Sequence, residues 1–179
     1  MHRLIVIAHV KNYPAQNCHN RQIQRCYRQY ENFTINKIEL IPFAFLEAIK
    51  SSTSEMDECD VVVPRSEVSN FIKYTYELQD KYNIRIPSFG HAGDGNLHIY
   101  ICRDNYSKEE FDQILVKVFA DLYNKAYAVG GLVSGEHGIG FAKKEYMKEQ
   151  LGPTQITLMN GIKKVFDPNN ILNPGKVCQ

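Results

Sequence analysis

The 179-residue chain carries 21 Lys and Arg against 20 Asp and Glu, a formal net charge of +1, with 44% hydrophobic and 23% charged residues. These are the proportions of an ordinary globular domain, and the near-neutral charge gives no strong field, so it announces neither the basic footprint of a nucleic-acid binder nor a surface built to attract acidic substrates, and any binding must come from local sites. The longest early apolar run, residues 4–10, is broken by His9 and followed by Lys11, Asn12 and Tyr13, too short to span a bilayer and without a cleavage site, so neither a transmembrane segment nor a signal peptide is expected and the chain is assigned to the cytoplasm.

Composition divides the chain in two. All eleven glycines lie at or beyond Gly90 and all eight aspartates beyond Glu55. Residues 1–46, with His19, Asn20, Arg21 and the run Arg25, Cys26, Tyr27, Arg28, are basic, rich in amides and without clear periodicity, which predicts an atypical leader, poorly ordered or partly helical; residues 47–179 form the domain proper. Cys18, Cys26, Cys59, Cys102 and Cys178 are odd in number and show no C-x-x-C spacing, the pattern of free thiols in a reducing compartment.

The first secure element is a strand at Asp60, Val61, Val62 and Val63, stopped by Pro64. Ser66 stands where a cap is wanted for a helix whose apolar face is Val68, Phe71, Ile72, Thr75 and Leu78, ending near Tyr82 and Asn83. A strand over 84–89, a glycine turn at Gly93, Asp94, Gly95 and Asn96, and a return strand through Leu97, Ile99 and Ile101 come next. Ser107 with Glu110 forms a capping box for a helix carrying Phe111, Ile114, Leu115, Val118 and Leu122, which stops at Gly130 and Gly131. A strand over 131–134, a turn at 135–140, a short helix over 143–149 broken at Gly152 and Pro153, and a last helix with Ile156, Met159, Ile162 and Phe166 on its face complete the chain before Asp167 and Pro168. The order strand, helix, strand, strand, helix, strand predicts an α+β fold: a ferredoxin-like antiparallel sheet with helices on one face, plus C-terminal helices.

Two histidines, His91 and His98, flank the glycine turn, so a hairpin brings them toward one point, and imidazole nitrogens there suit a divalent ion such as zinc if a third ligand arrives. Glu136, between Gly135 and His137 on a second glycine turn, is the candidate. The competing reading is a pair of hydrogen-bonded histidines that support a turn. His137 next to it suits a general base whose substrate hydroxyl is acidified by the ion, or else another ligand or a turn histidine. No G-x-G-x-x-G opening a helix and no Walker sequence is present, so a self-contained nucleotide site is not expected.

Four stretches, 61–65 (Val-Val-Val-Pro-Arg), 90–98, 134–140 and 167–176, in this order, resemble the FAD-linked oxidase C-terminal domain of the vanillyl-alcohol-oxidase-type flavoproteins, in its glycolate oxidase and D-lactate dehydrogenase branch; the resemblance covers roughly residues 47–176. It implies the cap and substrate part of an FAD-dependent 2-hydroxy-acid dehydrogenase, in which a hydroxyl proton passes to a base and a hydride to flavin N5. By position it makes His91, His98 and Glu136 the ligands of a divalent metal, Zn or Mn, and His137 the base. It brings Asn173 toward the flavin and gives Lys143 and Arg65 to cofactor and substrate carboxylate respectively, although either cation can equally be a solvated surface charge. FAD itself would be held mainly by an N-terminal domain not resembled by anything upstream of Glu47, and the chain is expected to be a truncated or separately encoded fragment. Its partners would be a small 2-hydroxy acid and a flavin-domain polypeptide, with an electron-transfer flavoprotein or an iron-sulfur subunit as electron acceptor. The other reading is a non-catalytic metal-binding or subunit-interaction module.

Overall fold

A computed structural model describes residues 41–179; the leader expected over 1–46 lies outside the described residues up to residue 40, as do Cys18 and Cys26. Helix α1 (Ile41–Lys50) precedes strand β1 (Met56–Val62), helix α2 (Val68–Tyr82), strands β2 (Ser88–His91) and β3 (Asn96–Cys102), and helices α3 (Lys108–Ala128), α4 (Lys144–Leu151) and α5 (Pro153–Phe166). The three strands form an antiparallel sheet in the order β1-β3-β2. Leu132 adds a single antiparallel bridge to Val62 on the outer side of β1. The strand expected over 131–134 is therefore reduced to one bridge, and the sheet has the ferredoxin-like order with its last edge strand vestigial.

Side chains alternate across the sheet. Cys59 and Val61 of β1 and Leu97, Ile99 and Ile101 of β3 pack against Phe71, Ile72 and Leu78 of α2 and Phe111, Val118 and Leu122 of α3, so these two helices cover one face as expected. On the opposite face Phe89, Tyr100 and Cys102 form a smaller cluster with Ile49, Phe45 and Leu46 of α1. The rest of that second face, from Glu58 and Asp60 to His98, carries the polar groups described below.

Local chemistry sets the element ends. Ser107 and Glu110 make both bonds of the capping box at the start of α3. Asn83 ends α2 in the left-handed conformation, φ 51°, which asparagine tolerates. Ser66 does not cap α2: the chain passes through a 3-10 turn at Arg65–Glu67, and neither it nor α2 has a side-chain cap. The strand expected from residue 84 is shortened because Pro87 has no N–H to donate; only its carbonyl is used, by the Tyr100 N–H at 2.9 Å, and Arg85 makes an isolated bridge to Cys102.

Helix α5 departs from its expected burial. Ile156 and Met159 pack against the core, but Ile162 is 62% exposed and Phe166 81%. Leu158 and Val165 share that outer side, because positions 158, 162 and 165 recur at helical spacing. The helix is apolar on two faces and the described residues cover one. Among the described residues no helix is long and apolar enough to cross a membrane.

Candidate metal centre

The β2–β3 hairpin places the two histidines. His91 is the last residue of β2, opposite Asn96, and His98 is two residues further along β3, so both rings share the second face of the sheet. The turn closes with the N–H groups of Asp94 and Gly95 donating to the His91 carbonyl at 3.0 and 2.9 Å. Gly95 has φ +77°, and a Cβ there would lie 2.0 Å from the Val63 carbonyl oxygen, so only glycine lets the hairpin tip meet the end of β1. The His91 and His98 ring centroids are 5.9 Å apart at 84°.

The second turn is tied to β1 by one side chain. Asp60 is fully buried. Its carboxylate accepts the Ser134 hydroxyl at 2.7 Å, the Gly135 N–H at 3.1 Å, the Glu136 N–H at 3.3 Å and the His137 N–H at 2.9 Å. Lys143 completes the shell, with Nζ 3.2 Å from Asp60 Oδ2 and 3.3 Å from Ser134 Oγ. Burial on its own would raise the Asp60 pKa, but the Ser134 and His137 bonds and the Lys143 charge hold it below the usual carboxylate range. Gly135 fits because a Cβ would stand 2.0 Å from Asn96 Oδ1.

Glu136 Oε1 thereby comes 3.4 Å from His91 Nε2, and its Oε2 3.7 Å from His98 Nε2. One ligand atom from each of His91, His98 and Glu136 lies within 4.8 Å of the others. A second group of the same kind, Glu58, His98 and His137, shares His98. Glu58 Oε1 is 2.9 Å from His98 Nδ1 and 3.7 Å from His137 Nδ1. Burial pulls the Glu58 pKa up, yet the His98 bond and the neighbouring imidazoles bring it below the ordinary value. His98 is the converse: burial disfavours its charge, and Glu58, Glu136 and Asp60 raise its pKa nonetheless.

Two imidazoles and a carboxylate are a donor set suited to a divalent ion, with positions left for water or substrate. The buried atoms His91 Nδ1 and Asn96 Oδ1 have no hydrogen-bond partner among the described residues. The residues fit such an ion.

The other predicted site residues are placed differently. Lys143 is neither a solvated charge nor free to reach out: its side chain is 11% exposed and its ammonium is committed to Asp60 and Ser134, because a buried carboxylate needs a countercharge. Arg65 is exposed. Asn173 is exposed in a left-handed turn, φ 48°, and its Oδ1 accepts from Lys176 Nζ at 2.9 Å. Sequence reasoning missed Asp60 and Glu58. The signal was there for Asp60, an acid leading a run of valines, since a carboxylate inside an apolar strand must find partners.

The chain is an α+β domain whose sheet face gathers two histidines, a glutamate and a further histidine beside a buried carboxylate. The chain belongs to the FAD linked oxidases, C-terminal domain, family, whose model matches residues 19–177. It is 54% identical over 136 residues to a D-lactate dehydrogenase of Anaerostipes hadrus, covering 75% of this chain and 28% of that protein. It is 41% identical over 142 residues to glycolate oxidase subunit GlcD of Bacillus subtilis (75% and 30%) and 36% identical over 121 residues to D-2-hydroxyglutarate dehydrogenase of Stutzerimonas stutzeri (66% and 26%). The chain thus spans less than a third of the length of each of these relatives.

Proposed function

We propose that this chain is the cap and substrate portion of an FAD-dependent 2-hydroxy-acid dehydrogenase, contributing the ion-binding and proton-accepting groups, with FAD held mainly by a flavin-binding domain. The observation that carries the reading is the convergence of His91, His98 and Glu136 within 4.8 Å, with His137 next in sequence on the same anchored turn. Family membership and relatives named for D-lactate, glycolate and D-2-hydroxyglutarate support the substrate class.

A divalent ion, Zn or Mn, held by His91, His98 and Glu136 would supply Lewis acidity at the substrate oxygen, and a flavin would supply the hydride acceptor. His137, half exposed, takes the hydroxyl proton on a ring nitrogen. Arg65 is a cation available to a substrate carboxylate, and Asn173 is exposed for contact with the flavin or the domain that holds it. Lys143 acts at one remove by holding Asp60. On this reading residues 47–179 belong to the cap portion, the setting is the cytoplasm, consistent with the free buried thiols of Cys59, Cys102 and Cys178, and electrons leave to an electron-transfer flavoprotein or an iron-sulfur subunit.

The test is a chimera in which this chain replaces the matching segment of the Anaerostipes hadrus D-lactate dehydrogenase. It should oxidise a 2-hydroxy acid, and His137→Ala should lower kcat by about 10²–10⁴ with the ion retained. Unchanged kcat in that variant contradicts the base assignment, and stoichiometric flavin on this chain alone contradicts the division of labour.

A further inference from the structure

Glu58 lies on β1, on the same face as Asp60, and reaches across to the ring of His98 on β3. The contact is a hydrogen bond at 2.9 Å to Nδ1. A neutral imidazole donates from one nitrogen and accepts at the other, and an ionised carboxylate only accepts. The proton on His98 must then sit on Nδ1, leaving the lone pair on Nε2, the nitrogen turned toward Glu136 Oε2 at 3.7 Å. Asn96 Nδ2 stands 3.4 Å from the same Nε2, within reach of the lone pair that this tautomer leaves there. Phe89 backs the ring, its centroid 5.2 Å away, so the imidazole is held on its face as well as at its edge.

The rival assignment makes Glu58 a ligand of a second ion shared with His98 and His137. Distance argues against it. Two ligand atoms about 2.1 Å from one tetrahedral ion lie about 3.4 Å apart, whereas Glu58 and His98 are at hydrogen-bond separation.

We propose that Glu58 is a positioning residue that fixes the Nδ1–H tautomer of His98 and so presents Nε2 as the ion-binding nitrogen. The proposal rests on the ion-binding reading of His98, but the tautomer is measurable without an ion. Long-range ¹H–¹⁵N correlation on the ion-free chain at alkaline pH, where the imidazole is neutral, should show a protonated Nδ1 and an unprotonated Nε2 for His98 in the wild type. Glu58→Leu should move both nitrogens toward the Nε2–H form, and Glu58→Gln, which keeps an acceptor oxygen, should restore part of the wild-type pattern. An Nε2–H tautomer in the wild type, or an unchanged spectrum in Glu58→Leu, overturns the proposal. Calorimetric titration with Zn²⁺ supplies the second readout: binding should weaken about tenfold to a hundredfold in Glu58→Leu, the range typical of outer-shell partners. Two ions per chain falling to one in that variant would make Glu58 a ligand and overturn the proposal as well. A wild type that binds no Zn²⁺ defeats the ion-binding reading alone, and the tautomer measurement still decides the role of Glu58.

Discussion

The backbone N–H of His137 donates to the Asp60 carboxylate at 2.9 Å, across 77 positions of sequence. Through that bond and its neighbours, a buried residue of β1 sets the path of the turn that carries both Glu136 and His137. Asp60→Asn keeps the shape but removes the charge that Lys143 neutralises and replaces an acceptor by a donor. Breaking one side of a buried pair costs about 3–5 kcal/mol, which urea unfolding of the ion-free chain should register. Replacing Lys143 by Met in the same molecule should recover part of the loss. A change below about 1 kcal/mol in Asp60→Asn would show that the pair does not organise the turn.

Glycine is required at position 135 by close approach. A Cβ there would lie 2.0 Å from Asn96 Oδ1 and 3.2 Å from Asp60 Oδ1, so Gly135→Ala must push the turn off β1 or displace Asn96. Destabilisation of about 1–3 kcal/mol is expected, together with weaker Zn²⁺ binding. At Gly138, where a Cβ meets nothing within 4 Å, alanine should be tolerated, and equal losses at the two positions would contradict the packing account.

The Glu58–His98 pair has a definite pH window. Glu58 is held below its ordinary value of 4.5, so its contribution is present above that pH and is lost as pH falls through the lowered value. His98 is held above its ordinary value of 6.5, so its contribution is complete below that pH and is lost as pH rises through the raised value. The ion-free chain should therefore gain most from this pair between 4.5 and 6.5. Melting temperatures of wild type and Glu58→Gln, compared across pH without ion, should differ most in that window. A difference that does not vary with pH would remove the electrostatic explanation.

The outer side of α5 should be silent in the chain by itself. Val165 is 77% exposed and Phe166 81%, so Val165→Ser and Phe166→Ser should each change stability by no more than about 0.5 kcal/mol. Leu122→Ala, in the core between α3 and the sheet, should cost about 2–5 kcal/mol. A large loss at Phe166 would mean that this face is buried in the free chain.

Periodicity made most of the fold legible, because α2, α3 and the core face of the sheet obey a single requirement, burial on one side. It failed where another requirement competed. Met56, Asp57 and Glu58 belong to β1 but look like loop, since Glu58 shares with Asp60 a strand face that lines a polar site rather than a core. Residues 131–134 look like a strand yet make one bridge, the Val133 N–H and the Gly131 carbonyl being taken by the Gln150 side chain instead. Ile162 and Phe166 have core spacing on a helix with two apolar faces, and sequence pattern does not say which face the domain uses. For the site, the two glycine turns pointed to His91, His98, Glu136 and His137, which the fold brings together. Glu58 and Asp60 escaped notice because their meaning depends on strand register, Asp60 opposite His98 and Glu58 opposite Tyr100, and register is a long-range property.

Equilibrium Zn²⁺ binding to the purified chain, wild type against His91→Ala, His98→Ala, Glu136→Ala and His137→Ala, tests the central claim most directly. One ion per wild-type chain is predicted, with affinity falling in each of the first three variants by more than the tenfold to hundredfold typical of outer-shell losses, and staying within about threefold in His137→Ala. Equal affinity in all five proteins, or a loss confined to His137→Ala, would contradict the assignment of His91, His98 and Glu136 as the ion-binding centre.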